Sequence, residues 1–272
     1  MITAQLASSS TRSMDYDYWL RAADKKPLFP ELAWEKPERR DQRGKLVIIG
    51  GTKLGFAAVA NAYQEALEAH AGYVRAVVPD ALKPMLYNLE DVLFTPSNPS
   101  GAFAREAESG MKAALSWADM TLLIGDAGRN SETAICFEHL LQQMSTPCVI
   151  TRDAIDLLKS SPELLLQRKN TILVASFAQL QKLLQSVYFP RSLVFSMHLA
   201  QLVEVLHKAT LSYPALLVTY HNEQLVIAYD GRVATIPLEN PMTIWRGNIA
   251  TKIAVNAMQH PHKLFEATVS SL

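Results

Sequence analysis

The sequence predicts an α/β fold with a mostly parallel central sheet flanked by helices and an antiparallel hairpin toward one edge. Three observations carry this reading. From Lys45 onward, short β-rich runs alternate with helical stretches, as parallel strands joined by crossover helices require. Asp230-Gly231 separates two strand-like runs, a pair suited to a tight hairpin turn. With 272 residues, 49% of them hydrophobic, the chain can bury a substantial core and fits one large α/β domain better than two ordinary ones.

In chain order, residues 1–43 mix serines and charges with Pro27, Pro30 and Pro37 and end in "EKPERRDQRGK". They read as an N-terminal arm laid over a core, with Tyr16, Tyr18, Trp19 and Trp34 as its aromatic anchors. The α/β domain then occupies 44–272. Its first five strands are "KLVIIG", "YVRAVVP", "MTLLIG", "PCVIT" and "TILVA". Segment 190–209 opens with Pro190 and places Leu199, Leu202, Val203 and Leu206 at helical spacing, so it predicts a helix against the sheet. "LLVTYHNEQLVIAYDGRVATIPL" supplies three more strand-like runs, and "IATKIAVNAMQH" a helix with Asn248 placed to cap its first turn.

Composition narrows the function. The 26 basic and 26 acidic residues balance, and no run of one sign marks a nucleic-acid or acidic-lipid surface. Small molecules or proteins are the expected partners. Cys136 and Cys148 lie far apart and outside any Cys-x-x-Cys spacing, which fits a reducing cytoplasm and gives no zinc site. No apolar run approaches the roughly 20 residues of a spanning helix, and the N-terminus lacks an export pattern. His260 and His262, flanking Pro261, have no ligand-type neighbours at metal spacing and are expected at the surface.

The stretch "GKLVIIGGTKLGFAAVANAYQEALEAHAG" reads as strand, double-glycine turn and helix. It is neither a Walker loop, since Phe56 and Ala57 stand at the Lys and Ser/Thr positions, nor a G-x-G-x-x-G fingerprint. Either it only turns a corner or, like other strand ends of open α/β sheets, it borders a ligand. With "ADMTLLIGDAGRNSET", "TPCVITRDAIDLL", "NTILVASFAQLQKLL" and "YDGRVATIPLENPMTIWRGNIATKIAVNAM", it makes a series that resembles, in order, the NAD(P)H-hydrate dehydratase family. These are ribokinase-like enzymes that repair hydrated nicotinamide cofactors. The resemblance runs from about Arg39 to His260.

The resemblance implies a ribokinase-like fold and an ADP- or ATP-dependent dehydration of NAD(P)H hydrate, with or without Mg2+, in a cytoplasmic homo-oligomer. It implies substrate contacts at Gly50, Gly51, Ala57, Gly125, Gly128, Asp153 and Ser176, and nucleotide or phosphate contacts at Tyr220, His221, Asn222, Arg246 and Gly247. Asn248 stands where the family has its catalytic Asp. That chemistry needs helix-end amides for the phosphoryl group and a carboxylate for the hydroxyl proton.

The family's Gly-Thr-Gly-Asp is here Trp245-Arg246-Gly247-Asn248, and the span from Asn240-Pro241 is two residues shorter than the usual pattern. Ser176 replaces the family histidine, Thr151 the first Asp of Asp-Ala-Asp, and Asp126 and Arg129 interrupt the Gly-Pro-Gly-Leu-Gly turn. The expectation is a nucleotide- or cofactor-binding protein with weak, altered or lost catalysis. The alternatives are a non-catalytic binding or assembly protein on this fold, or a different ribokinase-like small-molecule kinase.

Overall fold

The computed structural model describes residues 16–22, 27–86 and 90–272. The five expected strands form β2 (Lys45–Gly50), β3 (Tyr73–Pro79), β5 (Met120–Gly125), β6 (Cys148–Thr151) and β7 (Thr171–Val174). Two more were not expected: β1 (Trp19–Arg21), from the arm, and β4 (Val92–Thr95). β8 (Leu216–His221), β9 (Gln224–Tyr229) and β10 (Arg232–Pro237) form an antiparallel meander.

Intervening helices are α1 (Ala57–Glu68), α2 (Ala107–Trp117), α3 (Ser131–Gln143), α4 (Asp153–Leu157), α5 (Pro162–Leu166), α6 (Phe177–Ser186) and α7 (Leu199–Ser212). After β10 come α8 (Met242–Trp245), α9 (Asn248–Gln259) and α10 (Leu264–Val269). No helix among the described residues is long and apolar enough to cross a membrane.

All the strands join one sheet in the order β1-β10-β9-β8-β7-β6-β5-β2-β3-β4, parallel from β4 through β8. Both faces are covered. Val47, Ile49, Leu123 and Ile150 face α2, α3, α6 and α7, whereas Leu46, Ile48, Leu122 and Val149 face α1, α9 and α10. A strand buried on two sides needs apolar residues at consecutive positions, which is why "KLVIIG" and "MTLLIG" do not alternate.

The arm extends this sheet. The Val233 amide donates to the Tyr18 carbonyl, the Trp19 indole donates to Thr235 Oγ1 at 3.0 Å, and the Tyr18 ring stacks on His207. Trp34, by contrast, is 90% exposed and anchors nothing. Three further expectations need correction. The helix expected over 190–209 starts at Leu199, where the Gln201 side chain accepts from the His198 amide; Pro190 stays in the preceding loop, which buries Leu193 and Met197. His260 is buried, its Nδ1 donating to the Asn256 carbonyl, and only His262 is exposed. Asn248 does not cap α9: Gly247, at φ +91°, is the capping residue, and Asn248 opens the helix proper.

Candidate functional site

β2 leads to β3 on one side of the sheet, whereas β5, its other neighbour, leads to β6 on the opposite side. The carboxyl ends of β2 and β5 therefore form the topological switch point, where open α/β sheets leave a crevice for ligands. Here the chain fills that crevice itself. The Gly51 amide donates to the Gly125 carbonyl at 2.9 Å, and Asp126 follows with φ +52°. One Asp126 carboxylate oxygen accepts from the Ala58 amide in the first turn of α1 at 2.8 Å; the other accepts from Arg152 Nη2 at 2.5 Å. A carboxylate there uses the positive end of the helix dipole that an anionic ligand would otherwise meet.

Arg152 follows β6 directly, with φ +57°. Its Nη2 pairs with Asp126, its Nη1 donates to the Trp245 carbonyl, and its Nε is buried without a partner among the described residues. The carbonyl of Arg152 accepts from Gln179 Nε2 at 2.8 Å, and Gln179 also reaches Asp156 at 3.0 Å. Two non-glycine residues in left-handed backbone at adjacent strand ends, each locked by side-chain bonds, mark stored strain of the kind found at binding sites. Arg152 thus ties the ends of β5 and β6 to the end of α8.

Beside this lock lies a strand-end cleft of about 490 Å3, lined among others by Asp126, Arg152, Asp153, Ser176, Gln179 and Trp245. A wider cleft of about 800 Å3 runs between the start of α3, α4 and α6. Asp153, Asp156, Gln179 and Lys182 line both. Asp153 Oδ1 accepts from the Asp126 amide at 2.7 Å. Burial, together with the nearby Asp126 charge, holds its carboxyl above the usual carboxylate range, against the lowering effect of the Asp126 amide.

A raised folded-state pKa means that Asp153 contributes stability fully present below its unfolded pKa and lost as pH rises through the folded value. Asp153→Asn should remove that contribution, so its urea-unfolding stability should fall less than that of the natural protein between acidic and neutral pH. Parallel stability–pH curves would show that Asp153 titrates normally.

The expected site residues separate into groups. Gly125, Gly128, Asp153 and Ser176 come together: Gly125 carries φ +91° above Asp153, Gly128 and Asp153 line the wider cleft, and Ser176 lines the strand-end cleft. The Ser176 hydroxyl is held in a capping box with Gln179 at the start of α6. Gly50, Gly51 and Ala57 line neither cleft. Gly51 packs under Leu82 and Val59, and Asp126 takes the α1 end.

Arg246 is exposed and Gly247 sits beside the Arg152 side chain. Tyr220, His221 and Asn222 lie at the β8–β9 turn, where His221 is buried, bonded to the Met197 carbonyl and stacked on Phe177. Asn248 donates from Nδ2 to Glu65 Oε2 at 2.6 Å, so its side chain is committed to α1. Arg152 was not anticipated. The signal was present: a new acid at position 126 and a new base at 152 fall at matching ends of neighbouring parallel strands.

No family model matches the chain. Over 125 residues it is 27% identical to a bifunctional NAD(P)H-hydrate repair enzyme of Moorella thermoacetica, a match that covers 45% of this chain and only 24% of that protein's length. Among solved structures, a ribokinase-like superfamily protein from Enterococcus faecalis superposes with a TM-score of 0.72 at 14% identity, covering 94% of this chain and 86% of its own. An ADP/ATP-dependent NAD(P)H-hydrate dehydratase from Bacillus subtilis, co-crystallised with ATP and Mg2+, gives 0.59 at 14% identity, covering 92% and 87%. The chain therefore has the ribokinase-like fold, and the resemblance to NAD(P)H-hydrate dehydratases carried by its motifs is repeated in both a curated relative and a solved structure.

Proposed function

We propose that this chain binds an adenine nucleotide or a hydrated nicotinamide cofactor in the strand-end cleft and dehydrates the cofactor weakly or not at all. The observation that carries the reading is Asn248 at the position of the family Asp, with its side chain bonded to Glu65 on α1. An amide cannot accept a proton, and this one is also turned to another partner. Losing a general base costs about a hundredfold to ten-thousandfold in rate. Binding is a separate matter. The Trp245 indole, half exposed, gives the cleft a flat apolar wall, and Lys182 and Gln179 give it a charge and a hydrogen-bonding group. A planar base and a phosphate fit these groups. The α1 end does not fit a phosphate, because Asp126 already occupies it.

That last contact favours the second reading, a non-catalytic binding or assembly protein on the same scaffold. Thermal-shift screening with ADP, ATP, AMP, NADH and NADPH separates the two. A ligand at a hundred times its dissociation constant should stabilise by about 2.7 kcal/mol. At least one is expected to do so, and none doing so would sink the binding reading. On the same reading the protein acts in the cytoplasm as a homo-oligomer, with residues 44–272 as the ligand-binding domain and 1–43 as its arm. Light scattering at the monomer mass across micromolar concentrations would count against the oligomer.

A further inference from the structure

We infer that the wider cleft is a binding site for the phosphate groups of a small-molecule ligand, held by Lys159, Lys182 and Arg129. The inference rests on the reading above for the identity of the whole ligand, whose ring would lie against Trp245, but not for the phosphate site itself. Its volume of about 800 Å3 is in the range of ligand pockets, roughly 300–1,000 Å3.

The walls follow from local structure. Gln179, Lys182, Leu183 and Ser186 recur at helical spacing, so α6 presents them as one stripe. Asp153 and Asp156 share a face of α4, and Lys159 and Ser160 follow its end. Arg129, Asn130 and Ser131 at the start of α3 form the third wall.

The cleft gathers three cations that lack carboxylate partners among the described residues, whereas cations elsewhere are of both kinds. Lys112, Arg191, Lys208, Arg232, Lys252 and Lys263 all pair with carboxylates. Arg129, Lys159 and Lys182 have no carboxylate or other hydrogen-bonding partner among the described residues, although they line one concavity. Two acids share the wall: Asp156 accepts from Gln179, and Asp153 accepts from the Asp126 amide. Three cations against two acids leave the wall with a small excess of positive charge, which raises the local anion concentration, and a phosphate accepting from several of the cations makes charge-assisted hydrogen bonds. Because Asp153, Asp156, Gln179 and Lys182 also line the strand-end cleft, one ligand can reach both.

The test uses inorganic pyrophosphate, titrated calorimetrically into the full chain and into the Lys159→Gln/Lys182→Gln variant. Both lysines are exposed, so the variant should fold as the natural protein does. Pyrophosphate should bind the natural protein, weaken with added salt, and bind the variant about tenfold less tightly or worse. Equal binding to both, or no binding to the natural protein, overturns the proposal. A parallel titration follows ADP by the tryptophan fluorescence lost in Trp245→Phe. ADP quenching with no pyrophosphate site would refute the wider cleft and leave the strand-end reading standing. Lysine-dependent pyrophosphate binding without quenching by any nucleotide would support the phosphate site while removing that reading.

Discussion

Gly125→Ala should cost about 3 kcal/mol of unfolding free energy and disable the strand-end cleft. Gly125 has φ +91°, a region that costs an L-residue roughly 1–2 kcal/mol. The added methyl would also overlap Asp153 Oδ1. Moving Asp153 breaks its 2.7 Å bond from the Asp126 amide, and an amide left unpaired there costs about 1–3 kcal/mol. The Asp126 side chain bridges the α1 end and Arg152, so the disturbance should spread to both clefts. Gly128→Ala is the control. It shares the positive φ, at +74°, but meets only the Thr52 methyl at 3.3 Å, so it should lose about 1–2 kcal/mol. Urea unfolding of the two variants side by side checks the difference. Equal losses would mean that the Asp153 contact contributes nothing and that only backbone strain is felt.

Much of the fold was legible because burial on both faces writes itself into consecutive apolar residues. "KLVIIG" and "MTLLIG" could hardly be anything but interior strands. The two missed strands lack that signature. β4 has only four residues, three of them partly exposed, and β1 has three, none fully buried. Its place is set by backbone pairing with β10, more than 200 positions away along the chain. Pro190 misled for a related reason. Proline is compatible with a first helical turn but does not demand one, and the start was decided by the Gln201 side chain reaching the His198 amide.

The site was legible in its departures from a pattern rather than in its wiring. Replacement of Gly-Thr-Gly-Asp by Trp245-Arg246-Gly247-Asn248 is visible in the sequence itself. That Asn248 would bond to Glu65, 183 positions earlier, was not, because an Asn at a helix start has the same local credentials for capping. Likewise Asp126 read as an interruption of a glycine turn. Only the β5–β6 pairing shows it as half of an ion pair whose side chains are 17% and 26% exposed.

The natural protein should give little or no recovery of NADH absorbance from NADHX with ADP or ATP, and Asn248→Asp alone should restore little. The geometry gives a reason beyond the neighbouring loop. The new carboxylate would face Glu65 Oε2, now 2.6 Å from the Asn248 amide nitrogen. Two carboxylates that close cannot both ionise freely, so the pair's pKa values rise in the folded state. Lys252, 3.5 Å from the other Glu65 oxygen, offsets only part of the repulsion. Stability should therefore drop by about 1–3 kcal/mol near neutral pH, and recover as pH falls through the raised folded-state values. Adding Glu65→Gln should relieve the loss, because the new amide can donate to Asp at 248. The activity test then becomes Trp245→Gly, Arg246→Thr and Asn248→Asp on the Glu65→Gln background, with Gly247 already in place. Replacing Trp245 by glycine keeps the carbonyl that Arg152 holds. This variant should turn over faster than Asn248→Asp, toward the hundredfold or more that a general base contributes. Robust turnover by the unaltered protein would overturn the inactive reading. The base would then be Asp153, the more buried of the two carboxylates shared by both clefts, and Asp153→Asn should abolish that turnover.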